Sequence, residues 1–204
     1  MVAAACDGCC NRGVDDQLGF LANQSLPRKT DFNATVKQRI GDPIVSVEKL
    51  LGAINNGAET PETVEWRTVL VVGEYIDAET VEAVNRAQGG YSGKDPLTPI
   101  RLADNQLLLI NRGFIPLAKE IGPAPSGQVQ IIGRVRAPEV RRRFRISDPT
   151  QGELAEVSNI DLERLNKQMP SELAPIFVEV LESKPADSPV CLKLRLLRCR
   201  RARI

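Results

Sequence analysis

Residues 105–116, NQLLLINRGFIP, constrain the fold of this chain more than any other stretch. Leu107, Leu108, Leu109 and Ile110 form an unbroken apolar run. Such a run suits a strand covered on both faces, although a short buried helix gives the same pattern. Asp104 and Asn105 in front supply turn chemistry, which favours the strand. Behind it, Gly113 permits backbone angles that a residue with a Cβ resists. Pro116 cannot donate to a sheet ladder, so a central strand ends before it. The remaining periodic segments read as strands arranged around this one.

Residues 66–75, WRTVLVVGEY, are β-branched and apolar, with Gly73 marking a bulge. Residues 79–86 fit a second strand or a helical turn, since Val81 and Val84 alone fix neither period, with the strand favoured; residues 88–93, QGGYSG, read as a glycine-rich loop. Residues 96–102 lead through the Asp104-Asn105 turn into the apolar run, which predicts an antiparallel hairpin. Residues 128–135 and 175–182 alternate as strands do. Helical signals are shorter. Residues 33–40 form the end of a helix, and residues 46–54 form a helix with Ser46 as N-cap and Val47, Leu50, Leu51 and Ile54 on one face. Residues 159–169 form another, stopped at Pro170. Residues 183–189 read as a linker. The expected fold is α+β and β-rich: a mostly antiparallel sheet or partly closed barrel of about six strands with two or three short helices. The expected division is an irregular segment over 1–41, the β-rich domain over 42–186 and a basic tail over 187–204.

The chain of 204 residues is 42% hydrophobic and 26% charged, with net charge +1, which is a globular composition with room for one good core. It contains no histidine, so the commonest general base, transition-metal ligand and axial haem ligand are missing. No Ser or Cys nucleophile has a base partner, and the chain reads as a non-enzyme. The loop GGYSG lacks the spacing of a phosphate cradle. Cys6, Cys9 and Cys10 have metal-like spacing, but the second C-x-x-C half is missing and no metal is expected. No segment approaches the roughly 18 apolar residues of a membrane span, and the chain alone reads as soluble. Charge is concentrated instead. Arg141, Arg142, Arg143 and Arg145 surround Phe144, and residues 190–204 mix leucine with arginine and no acid. A basic β-rich nucleic-acid-binding module is therefore the alternative reading, and a membrane-surface tail is a further reading of residues 190–204.

Several motifs carry a resemblance. Trp66-Arg67-Thr68-Val69, Val72-Gly73-Glu74-Tyr75, Asn85-Arg86, Gly89-Gly90-Tyr91-Ser92-Gly93 and Leu97-Thr98-Pro99-Ile100 precede Asn111-Arg112-Gly113-Phe114-Ile115-Pro116 and the strand at 129–136. In that order and spacing, over about residues 43–186, the chain resembles the surfeit locus protein 1 family, assembly factors for haem-copper cytochrome c oxidase. The resemblance implies a β-rich domain on the extracytoplasmic face of a bacterial plasma membrane or mitochondrial inner membrane, between two membrane helices. It implies a part in delivering haem a to oxidase subunit I or stabilising it there, and no catalytic activity. Haem a enters by resemblance only, since no cofactor-binding residue is expected in a chain without histidine. The family's usual tryptophan is Phe114 here. Both membrane helices are missing, and the two ends read as those of a truncated or frame-shifted member. Arg112, Phe114, Gly89 and Tyr91 are the residues expected to bind the partner, with no nucleic acid in the main reading.

Overall fold

The computed structural model describes residues 25–139 and 148–187. They fall in two compact units, Met1–Gln38 and Arg39–Ile204. Helix α1, Ser25–Gly41, makes up the described part of the first unit and ends in the second. In the second unit, the short strand β1, Val45–Ser46, leads directly into α2, Val47–Asn55. The Ser46 hydroxyl accepts the Lys49 N–H, so this residue stops the strand and starts the helix. Val47, Leu50 and Leu51 are buried along one face. Helix α3, Pro61–Val64, opens with a capping box between Thr60 and Thr63 and with proline in its first turn.

The strands follow: β2, Thr68–Tyr75; β3, Val81–Gln88; β4, Tyr91–Arg101; β5, Leu107–Asn111; β6, Ile115–Pro116; β7, Gln128–Arg136; and β8, Glu156–Val157. A 3-10 turn, Asp77–Glu79, links β2 to β3, and the short helix α4, Leu162–Asn166, precedes the last strand, β9, Leu173–Lys184. The architecture is thus α+β and β-rich, with a mixed sheet. Along the sheet the order is β1-β2-β7-β9-β5-β4-β3-β8, with β6 added beside β4. Three pairings are parallel, β1 with β2, β3 with β8 and β5 with β9; the others are antiparallel.

One extra pairing changes the meaning of this order. Glu74 and Tyr75 of β2 pair with Arg101 and Ile100 of β4, so β2, β7, β9, β5 and β4 close into a ring. Gly73 makes the closure possible. A Cβ there would meet the Arg101 carbonyl oxygen and would sit 2.9 Å from Ile100 Cγ1. The bulge expected at Gly73 is absent, since β2 pairs with β7 in unbroken register through this residue. Gly73 is small because another strand crosses close to it.

All five ring strands contribute to one core cluster, including Val69, Val71, Ile100, Ile110, Ile131 and Ile176, and α2 adds Val47, Leu50 and Leu51. A second cluster lies on the other side of β5 and β4. There Leu107, Leu109 and Leu97 meet Val157, Leu162, Leu165 and Phe177. Strand β5 separates the two, with Leu108 and Ile110 facing the first and Leu107 and Leu109 the second. This is why its sequence shows no alternation: all four side chains are fully buried, each worth about 1.5–3 kcal/mol relative to exposure. The expected hairpin forms, with Leu97 opposite Asn111 and Arg101 opposite Leu107. The helix expected over 159–169 is shorter, and the loop expected over 88–93 is mostly strand, with only Gly89 and Gly90 in the turn.

Candidate partner-binding end of the sheet

Four residues were singled out in the sequence, and the structure puts them at one end of the sheet in two different settings. The β3–β4 hairpin extends past β5 as a finger, because β4 pairs with β5 only from Leu97 onward. Gly89 and Gly90 form its turn with φ of 59° and 84°. Positive φ at both central residues is the turn whose twist matches paired strands, and glycine adopts it without a steric penalty. Asn85, at φ 59°, takes up the irregularity of β3 between Ala83 and Arg86. At the tip Gly89 is exposed, and Tyr91 is 69% exposed.

Phe114 lies against the finger. The position a Cβ would take at Gly93 is 2.5 Å from Phe114 Cε2 and Cζ, so the absence of a side chain at 93 makes room for the ring. Gly93 and Tyr91 are two apart on one strand and share a face. Phe114 and Tyr91 therefore belong to one side of the finger. Strand β6 continues it, pairing Pro116 with Gly93, and Leu117, 68% exposed, donates its N–H to the Ser92 carbonyl at 3.2 Å.

Arg112 turns inward and has no exposed surface, so it presents nothing to a partner. Its Nε donates to Asp187 Oδ2 at 2.8 Å and its Nη2 to Asp187 Oδ1 at 2.7 Å, a two-point pairing. Nη2 also donates to the Pro123 carbonyl at 3.1 Å, and the guanidinium carbon sits 5.9 Å from the Tyr75 ring centroid. Burial by itself lowers the Arg112 pKa; the bonds and charge of Asp187, with smaller help from Tyr75 and Asp77, carry it upward overall. Burial, then the Asp187 carboxylate, push the Tyr75 phenol well above its usual range, against the opposing pull of Arg112. Asn111 holds the turn beyond: its Oδ1 accepts the Gly113 N–H at 2.8 Å, and Gly113 has φ 108°. The Arg112-Gly113-Phe114 sequence thus sends one side chain into the protein and the next onto the finger.

A second polar network runs across the outer face. Arg86 pairs with both oxygens of Glu139, at 2.9 and 3.0 Å, and approaches Asp95 at 3.8 Å. Asp95 accepts the Asn111 amide at 3.1 Å. Burial raises the Asp95 pKa against the bond from Asn111 and the charge of Arg86. Burial would raise Glu139 as well, but Arg86 and the Ile160 N–H bring it below the ordinary range. At the end of β7, Arg136 lies 4.2 Å above the Trp66 ring and pairs with Glu65 at 3.1 Å and Glu179 at 2.6 Å. Trp66 has φ 77°, a strained angle for a bulky residue, and its N–H donates to the Val135 carbonyl at 2.8 Å.

Sequence reading missed Asp187, taken as the start of a tail, and Leu117. The signal for Asp187 was faint: one acid in a proline-containing stretch after the last strand. The Arg141–Arg145 run and all five cysteines lie outside the described residues. Among the described residues no helix is long and apolar enough to cross a membrane, and no group of three His, Cys, Asp or Glu side chains is placed to hold a metal ion.

Compared with known families, residues 24–200 match the model of the SURF1 family, that is, the surfeit locus protein 1 family. The match takes in the whole ring and finger and part of the basic segment beyond Asp187. No curated protein matches the chain at a significant level.

Proposed function

Since this chain belongs to the SURF1 family, whose members are membrane-associated factors for cytochrome c oxidase assembly, we propose that it binds oxidase subunit I and steadies it while haem a is placed. The observation that carries this reading is the family match across the ring and finger together. The chain's action is binding rather than catalysis. The finger offers what binding needs, a rigid two-strand projection with an exposed aromatic tip. Tyr91, Gly89 and Phe114 are the contact residues, and Arg112 is a positioning residue that holds the base of the finger to Asp187. The contact lies on the extracytoplasmic face.

Among the described residues, Tyr75 and Met169 do not fit haem a as axial ligands. The chain has no histidine, the Tyr75 hydroxyl is buried next to Arg112, and Met169 packs against the second core. The part in haem placement is therefore to hold the subunit that receives it. The test is capture of subunit I by the tagged chain from detergent extracts of cells lacking their own family member. Capture that drops severalfold in Tyr91→Ser, with the urea midpoint unchanged, supports the reading. Equal recovery from an untagged control sinks it.

A further inference from the structure

One face of β4 carries Tyr91, Gly93, Asp95 and Leu97 in a row, since alternate residues of a strand point the same way. Their settings differ. Tyr91 is exposed, Phe114 fills the notch at Gly93, and Leu97 is fully buried in the second core. Pairing of β4 with β5 starts only at Leu97, opposite Asn111. Asp95 is therefore the first residue of the row beyond that ladder, where the anchored part of the strand becomes the projecting finger.

Asn111 reaches across this boundary. It ends β5, continuing the row of Leu107 and Leu109 with a polar residue, and it is 6% exposed. Asp95 stands diagonally across from it, a position within reach of a side chain. Asn111 Nδ2 donates to Asp95 Oδ2 at 3.1 Å, and its Oδ1 accepts the Gly113 N–H at 2.8 Å. The two partners dictate this orientation of the amide, because a backbone N–H only donates and a carboxylate only accepts. One side chain thus holds the root of the finger and also shapes the turn that brings Phe114 to its notch. The next residue adds a backbone grip, from the Arg112 N–H to the Pro96 carbonyl at 3.0 Å. The backbone bond fixes a point on the finger; the neighbouring bond at Asp95 fixes its direction as well.

We propose that Asn111 is a positioning residue for the partner contact: its amide sets the direction in which the finger leaves the ring, and with it the presentation of Tyr91 and Phe114. This deepens the partner reading, on which it rests for what the finger meets.

The test reads residual dipolar couplings of backbone N–H groups in the full chain, which report the direction of the finger against the ring strands, alongside capture of subunit I. Asn111→Asp keeps the shape and the acceptor for Gly113 but turns a second carboxylate towards Asp95. In this variant the couplings of Ser92, Gly93 and Lys94 no longer fit the alignment frame of the ring, the ring couplings hold, and capture falls severalfold. The exchanged pair, Asn111→Asp/Asp95→Asn, makes the same bond with donor and acceptor reversed, and it restores both the couplings and capture. Asp95→Ala leaves the bond to Gly113 in place and shifts the finger couplings in the same way, so the proposal is decided even where Asn111→Asp folds poorly. Finger couplings that still fit the ring frame in a folded single variant, or a folded exchanged pair that restores none of them, overturn the proposal. Couplings that shift and return while capture stays at the parent level support the joint and count against the partner reading alone.

Discussion

Removing the Arg112 guanidinium strands the Asp187 carboxylate, which has 1% of its side chain exposed. An unpaired buried charge is costlier than the pair, so Arg112→Ala is expected to lose about 3–5 kcal/mol. Replacing both partners by apolar residues, as in Arg112→Met/Asp187→Leu, should recover most of that loss. Urea unfolding of the single and double variants checks it; equal midpoints would mean that the pair does not act as a unit. Carboxylates of the outer network are expected to split by pH. Glu139 titrates below its ordinary value in the fold, so its ionised form stabilises above about pH 4 and the contribution fades as pH falls further. Glu139→Gln should therefore cost about 1–2 kcal/mol at pH 7, a figure reduced for its partial exposure, and much less at pH 3. Asp95 has the opposite sign. Its pKa is raised, so its ionised form weighs against the fold at neutral pH and that penalty disappears in acid. Asp95→Asn should match or exceed the parent's stability at pH 7 and show no gain at pH 3, as measured by urea midpoints at the two values.

At the scale of elements, two glycines decide whether strands meet. Gly73→Ala places a methyl group on the β2–β4 seam and should cost about 1–3 kcal/mol, with faster amide exchange at Ile76, whose N–H donates to Pro99 across that seam. The turn of the finger gives a gentler test. Asn-Gly is a favoured pair for a turn with two positive φ angles, so Gly89→Asn should leave the thermal midpoint within a degree or two. If capture of subunit I falls in this variant while stability holds, Gly89 is a contact. If capture is unchanged, the glycine serves the turn alone.

Across the molecule, the sequence shows clearly what depends on local pattern. The helix start at Ser46, the β4–β5 hairpin and the two-sided burial of β5 follow from capping, turn chemistry and an unbroken apolar run. Ring closure was less legible, since the β2–β4 contact leaves one glycine as its only local trace, and a glycine in a strand reads equally well as a bulge. The positions of the residues expected to bind the partner were legible only in part. Tyr91 and Phe114 do share the finger, but Arg112 looked like a surface residue because its counterion lies 75 positions away. A pairing across such a separation is set by topology and leaves no local pattern. Trp66 likewise shows nothing in sequence of its left-handed backbone, which Arg136 and Val135 hold from another strand.

The place of β9 in the ring bears on the order of events during synthesis. It is the last of the described strands to be made, yet it lies between β5 and β7 and supplies residues to both cores, Ile176 and Val178 to one and Leu173 and Phe177 to the other. Until it emerges from the ribosome, β5 and β7 have unpaired edges and both cores stand open. The domain therefore completes its fold only after nearly the whole of it has been translated, and chains arrested before residue 173 should be protease-sensitive and bound by chaperones that recognise exposed apolar strands.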